Sequence, residues 1–413
     1  MIKQLNFKKG GLPMLMFAVV ALFCQCTAPA SKNIAFHAEK IDAVVDGNIL
    51  TGASVLNDSD LFVWGGSVVK GKDGKYHMLY STWGCDESAP TFTESWVLNS
   101  QVGYAVSDYP DRDFKFQKIV LTGRALQGEP EAWDAQMMHN PHLKMFDGKY
   151  YLYYVSGKDP GEQAPGSPGE KLSMRNRVQQ SQQIGVIAFD SFEDLMAGKI
   201  ERPSQPLLSP RTRVKPDNIV NPSPEGTQAK PDNIIVVNPS VVYRPSDKKY
   251  LLYFKGNLYD PRWRGVHGVA ISDSPMGPFT PLDDIIFDIR MDDGRIASAE
   301  DPYVWYHNSQ KKFYAVFKDF SGKITGQEPG LAILESVDGI QWDKPAQPFF
   351  MKKQVELANG ETIKVNRLER PQLLINEKGD PEVLYAACAI INVNPTGKGE
   401  SFNVHIPLRV EKY

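Results

Sequence analysis

Glu300, Asp301 and Pro302 stand together in the stretch SAEDPYVWYHNSQKKFYAVFKD, residues 298–319, and a second glutamate in the same setting follows later as Glu369-Arg370-Pro371. Two carboxyl groups that face one space can divide acid–base work. One, protonated, gives its proton to a leaving oxygen, and the other, ionised, holds water or attacks. Glu300 is the candidate proton donor and Glu369 its candidate partner, because equivalent positions on neighbouring strands aim their side chains at the same space. The competing role for Glu369 is a structural ion pair with Arg370 or Arg367. Asp58 and Asp60 in LNDSDLFVWGG, and Asp134 in EAWDAQMMHNP, precede comparable strand entries, and Asp60 is the candidate third catalytic group. Asp301, on the opposite side of its strand step from Glu300, is a candidate for ordering its neighbours or binding a hydroxyl.

Around these carboxylates lie residues suited to holding a ligand. Trp64 is either a platform for a stacked ring or a packing residue between elements. His139, Asn140 and His142 are candidates for hydroxyl binding, with only one of the two histidines on the ligand side of the strand. Asn238 and Arg370 complete the candidate binding set. Lys255 in YFKG and Lys318 in VFKD either meet an anionic ligand or, the preferred reading, close ion pairs between units. The 7 histidines show no HExxH or other metal-ligand spacing, so no metal and no cofactor is expected.

The elements that must position these groups recur along the chain. WGGSVVKGKDGKYHMLYSTW, HNPHLKMFDGKYYLYYVSG, NPSVVYRPSDKKYLLYFKG, EDPYVWYHNSQKKFYAVFKD and ERPQLLINEKGDPEVLYAAC share one plan. Each has a Gly or Pro entry, a short apolar strand, a polar turn and an aromatic strand. The entries fall at Gly66, Pro141, Pro239, Pro302 and Pro371, and the spacing between them leaves room for a third and fourth strand in each unit. Five such units predict an all-β protein, a five-bladed β-propeller of four-stranded antiparallel blades, with the strand entries converging on one mouth of a central channel. Residues 157–183 read as a surface excursion. Residues 211–240, which hold KPDNIVNPS and then KPDNIIVVNPS, read either as a loop over the mouth or as an insertion without a role.

The fragments HNPHLKMFDGKYYLYYVSG, VVNPSVVYRPSDKKYLLYF and AEDPYVWYHNSQKKFYAVF resemble the blade steps of glycoside hydrolase family 43 and its five-bladed relatives. The resemblance covers residues from about 60 to 390 in blade pattern. It implies a glycosidase in which Glu300 matches the general acid. Two departures accompany it: Asn238 stands where the family has an aspartate that tunes the acid, and Gly65 or Gly66 stands where it has an aspartate base. His142 replaces a further aspartate on the second blade. The reading is a glycoside hydrolase of this five-bladed class acting on the non-reducing end of a plant or algal oligosaccharide, with the narrow channel mouth arguing for exo action. The alternatives are a surface glycan-binding protein on the same fold that has lost catalysis, and a sugar lyase or phosphorylase with a rearranged site.

Composition narrows the partners. With 46 basic and 49 acidic residues the formal charge is −3, too little field to hold nucleic acid or an anionic membrane surface. Aromatic residues make up 11% of the chain, which suits stacking on sugar rings and equally suits a β-rich core. At the N-terminus Lys3, Lys8 and Lys9 precede LPMLMFAVVALFC, an apolar run of signal-peptide length, followed at once by Cys24 and Cys26. Residues 1–26 are expected to be a signal peptide with lipoprotein-like cysteines, 27–45 a tether and 46–413 a single propeller domain. The protein is expected to be exported and lipid-anchored at the periplasmic or outer cell surface. Cys85 and Cys388 alone remain beyond Cys26, so disulfides do not hold the fold.

Overall fold

The computed structural model describes residues 34–211, 228–259, 263–394 and 396–412, all within the unit Asn33–Tyr413. The apolar N-terminal run with Cys24 and Cys26, and the first copy of the duplicated KPDN segment, lie outside the described residues.

Five antiparallel sheets carry the repeated units. Blade I runs through Phe62–Lys70, Tyr76–Trp83, Gln101–Ser107 and Lys115–Leu121. Blade II has His139–Phe146, Lys149–Ser156 and Gln183–Phe189, with Leu208 bridging Ile184 in the fourth place. Blade III comprises Val237–Arg244, Lys249–Tyr259, Trp263–Ser272 and Thr280–Pro281. Blade IV comprises Ala299–His307, Lys312–Asp319, Gly330–Ser336 and Phe349–Lys352. Blade V takes three strands from the end of the chain, Arg367–Ile375, Pro381–Ala389 and Phe402–Lys412, and its outermost strand, Ile34–Ala38, from the beginning.

The apolar residues show why the sheets form a ring. Leu79, Leu143 and Tyr154 fill the space between blades I and II, and Tyr153, Val241 and Phe254 that between II and III. Leu251, Val304 and Phe317 join III to IV, Trp305, Leu373 and Phe402 join IV to V, and Met78, Leu374 and Tyr385 join V back to I. Each blade thus buries both faces against its neighbours, and the first strand of each lies beside the first strands of the blades on either side. The fold is the five-bladed β-propeller that the repeats predict.

Ile34–Ala38 falls in the stretch expected to be a tether. It pairs with Phe402–Lys412 instead, Ile34 opposite Lys412 and Ala38 opposite Leu408. Phe36 packs edge-on against Trp305 and Tyr314 and lies 5.5 Å from Phe350. The pairing covers an edge that would otherwise offer free backbone groups to another chain.

One irregularity repeats in every blade and builds the site. In each first strand the ladder breaks within the first three residues: between Val63 and Gly66, His139 and His142, Val237 and Ser240, Glu300 and Tyr303, and Glu369 and Gln372. Such bulges bend a strand and re-aim its side chains. The residue before each proline takes a left-handed backbone, with φ of 48° at Asn140, 56° at Asn238, 59° at Asp301 and 50° at Arg370. Asn and Asp tolerate this conformation best among side-chain-bearing residues, which accounts for three of the four. By register Trp64 is their counterpart in blade I and Gly65 stands where the prolines stand. The blade I entry is therefore Gly65, one residue before the expected Gly66, because neighbouring glycines leave no side-chain pattern to mark the register.

Candidate active site

The bulge residues form a linked ring at one end of the channel. Asn140 Nδ2 donates to Asn238 Oδ1 at 2.7 Å, and Asn238 Nδ2 donates to Asp301 Oδ1 at 2.6 Å. The Arg370 backbone N–H donates to Asp301 Oδ2 at 3.0 Å, and Arg370 Nη2 returns to the Asn140 carbonyl at 3.1 Å. Four blades are tied in sequence order. A pocket of about 720 Å³ sits on this ring, lined at its floor by Trp64, Asn140, Asn238 and Asp301. Burial above all, with the charge of Glu300, pushes the Asp301 carboxyl up to about 7, although Arg370 acts against the shift. Asp301 is thus a carboxyl that titrates far above the ordinary aspartate range.

A second tier of charge lies one residue earlier in the strands. Lys255 of blade III meets Glu300 of blade IV at 3.0 Å, and Lys318 of blade IV meets Glu369 of blade V at 2.5 Å. The same inter-blade step is used twice, as preferred for these lysines from the sequence. Lys318 also lies 3.9 Å from Glu300, and Arg367 lies 3.7 Å from Glu369. Burial works to raise the Glu300 pKa, but Lys255 and then Lys318 outweigh it and hold the group below the ordinary glutamate value. Lys255 and Lys318 thus favour the ionised form of Glu300, whereas its expected role as proton donor needs the protonated one. Glu369 faces the same pocket as expected, yet an ammonium rather than a water stands between the two carboxylates. Its partners are Lys318 and Arg367; of the two arginines considered from the sequence, only Arg367 pairs with it.

The walls come from insertions. Thr91 caps the helix Phe92–Asn99, accepting from the Glu94 N–H, and this helix brings Phe92 and Trp96 to the pocket. The excursion 157–183 docks against it, with Arg175 donating to the Thr93 carbonyl at 3.2 Å, and contributes Leu172, Asn176 and Gln179. Ile234 and Ile235, from the second copy of the duplicated segment, also line the pocket and belong to a cluster against which Trp96 packs. The excursion, expected only at the surface, is therefore a wall of the site. Its amides and Trp96 carried no periodic signal, because their place depends on docking between insertions distant in sequence.

The remaining candidates divide clearly. Trp64 packs edge-on against Phe92 at 5.4 Å, as its packing reading has it, and also lines the pocket. His139 lines the pocket, with Nδ1 2.8 Å from Ser100 Oγ and its ring 4.7 Å from that of Trp96. Burial, with Arg370 adding to it, pushes its pKa down to about 3, so it is a neutral hydrogen-bonding group. His142 turns away into the channel, bonded to Gln372 and the Val241 N–H. Asp60 is exposed on a turn and does not line the pocket; its backbone N–H donates to Asp58. Its polar stretch precedes the first strand but bends back before reaching the mouth. Asp134 is locked between Arg124 and Arg202. Arg370 is fully buried below the floor and does not line the pocket, because its side chain turns inward across the axis. Among the described residues no cluster of His, Cys, Asp and Glu is arranged to hold a metal ion.

The architecture defines a five-bladed β-propeller with a pocket over its channel. No protein-family profile matches the chain, and no curated protein matches it in sequence. Solved structures do match in fold. Zg3597, a family 117 glycoside hydrolase of the marine bacterium Zobellia galactanivorans, superposes with a TM-score of 0.53 at 14% identity, over 92% of this chain and 91% of its own. A second solved glycoside hydrolase gives 0.55 at 12% identity over 86% and 90%. The α-L-arabinofuranosidase of Lactobacillus brevis gives 0.51 at 14% over 85% and 92%. At such identities the likeness is one of fold, and in fold the expected resemblance to five-bladed glycoside hydrolases is met.

Proposed function

We propose that the protein is a glycoside hydrolase, exported and lipid-anchored, that removes sugar units from the non-reducing ends of plant or algal oligosaccharides. The observation that carries the reading is the juxtaposition at the pocket floor of an ionised carboxylate, Glu300, and a carboxyl that titrates near neutrality, Asp301. Glycoside hydrolysis needs that division between an ionised and a protonated carboxyl. In this reading Asp301 supplies the proton to the leaving oxygen, and Glu300 acts ionised, holding water or stabilising positive charge on the sugar. Glu369, fastened to Lys318, shapes the field. Trp64 and Trp96 offer ring faces, and His139, Asn140 and Asn238 offer hydrogen bonds to hydroxyls. A floor closed by the Asn140–Asn238–Asp301–Arg370 ring supports exo action, since a chain cannot thread through it.

A second reading, a glycan-binding protein without catalysis, draws on the first blade, which carries no aspartate at Trp64, Gly65 or Gly66, on Asn238, which stands where the resembling family has an aspartate, and on the ammonium between Glu300 and Glu369. Incubation with a panel of plant and algal oligosaccharides separates the two. Release of monosaccharide supports the hydrolase, whereas tight binding of a panel member with no product supports the binder.

A further inference from the structure

A second hollow, of about 320 Å³, opens beside the pocket where blade IV meets the entry of blade V. Phe320, Arg367 and Glu369 line both cavities, so the two adjoin, whereas Lys353 lines the hollow alone. Its size is at the low end for small-ligand sites, which begin at roughly 300 Å³.

The acids of the hollow are already satisfied. Asp319 is buried, and its carboxylate accepts from the N–H groups of Ser321 and Gly322 at one oxygen and of Ile324 and Thr325 at the other. Glu369 is fastened to Lys318. Two cations are not so committed. Lys353 Nζ donates to the Asn366 carbonyl at 2.9 Å and makes no ion pair among the described residues. The bond holds it beside Arg367, the next residue along the chain. Arg367 has Glu369 Oε2 at 3.7 Å, beyond hydrogen-bond distance, and its side chain is 31% exposed. Its guanidinium stands 5.9 Å from the centre of the Trp64 ring and 5.6 Å from that of Phe92, on the border with the pocket. Phe320 adds an apolar surface, 43% exposed, with Lys318 Nζ 4.1 Å from the ring centre.

We propose that this hollow is a second sugar subsite, and that it takes a sugar carrying an oxyanion, a carboxylate or a sulfate ester, on the leaving-group side of the unit held in the pocket. The direction of the chain rests on the hydrolase reading; the charge of the ligand does not. A recess walled by protein strengthens the attraction of Arg367 and Lys353 for an anion relative to open water. The planar guanidinium suits a two-oxygen edge, and the ammonium adds a point charge beside it. Phe320 offers its ring to the C–H groups of the same sugar. A neutral sugar would use the donors but not the charge.

Two matched pairs of chains test the subsite on the intact protein: polygalacturonate against its methyl ester, and a sulfated galactan against the same galactan desulfated. Titration calorimetry at low salt should show the charged member of at least one pair binding tighter by roughly tenfold, as expected for hydrogen bonds to charged groups. Preference in the first pair identifies a carboxylate, and in the second a sulfate ester. Lys353→Gln should reduce the preference by roughly twofold to fivefold, the range of an exposed ion pair. Arg367→Gln should remove most of it, and if that variant does not fold, Lys353→Gln still decides. Equal binding within both pairs, no binding of any member, or a preference that Lys353→Gln leaves untouched would overturn the assignment. Sugar release is a separate readout. A charge preference lost in the variants, with no release from any chain, would keep the subsite and remove the hydrolase. Release from neutral chains by a protein without charge preference would do the reverse.

Discussion

Lys318 reaches from blade IV to Glu369 on blade V at 2.5 Å, and one blade earlier Lys255 reaches Glu300 in the same way at 3.0 Å. The repetition means that the electrostatics of the pocket are a property of the blade unit. A lysine closing the second strand of one blade meets a glutamate opening the first strand of the next. Glu300 owes its ionised state to this pattern, so its chemistry is set by its neighbours on two blades.

Replacing Glu300 with glutamine tests the ionised partner. Gln keeps the shape and accepts a hydrogen bond from Lys255 but carries no charge. Monosaccharide release should fall by at least about 10²-fold, the lower range for acid–base groups. Turnover within about threefold of wild type, a loss far below that range, would remove Glu300 from the reaction.

Asp301 should control the alkaline limb. A group that must be protonated to act loses activity as pH rises through its pKa, so kcat/KM should fall as pH passes about 7. Asp301→Asn should lack that limb and most of the rate. Linkage gives an independent readout. A carboxyl raised in the folded state contributes stability below its unfolded pKa and loses it as pH climbs to the folded value. The Tm of Asp301→Asn relative to wild type should therefore increase between about pH 4 and pH 7. A difference that stays flat with pH would place the Asp301 pKa in the ordinary range.

Trp96→Ala should weaken substrate binding with little effect on the fold, because this half-buried ring projects from an inserted helix. Loss of an aromatic contact worth about 0.5–1.5 kcal/mol predicts KM raised by roughly twofold to tenfold. Equal KM values for the two proteins would put the sugar elsewhere in the pocket.

Ring closure can be measured through Phe36. Phe36→Ala removes contacts with Trp305, Tyr314 and Phe350, and should cost about 2 kcal/mol in urea unfolding, less than a fully buried phenylalanine. Unchanged stability would mean that the first strand contributes pairing but no packing.

The anchor is tested by metabolic labelling with a radioactive fatty acid. The wild type should be labelled, and the variant with Cys24→Ser and Cys26→Ser should not. Absence of label from both would favour simple secretion.

The blade count was legible because each unit spells the same entry, turn and aromatic strand. Glu300, Glu369, Trp64, His139, Asn140, Asn238 and Asp301 were also legible as pocket residues, since all lie at or beside those entries. Their roles were less so. Asn140, Asn238 and Asp301 read as ligand groups, yet their first duty is to hold a left-handed backbone before proline. Arg370 shares their register and points elsewhere because Gly65 opens a path across the axis, a relation between residues far apart in sequence that no local pattern encodes. The electrostatic setting of Glu300 was likewise hidden, since the lysines that meet it, Lys255 and Lys318, close second strands whose approach to the first-strand glutamates no local pattern encodes.

Blade V, built from the first described strand and the last, makes completion of the circle a late event in the life of the chain. Until Phe402–Lys412 has been synthesised, Ile34–Ala38 has no strand to join, and the core shared by blades IV and V lacks Phe402. The ring of blades therefore stays open until these two strands, far apart in sequence, have met.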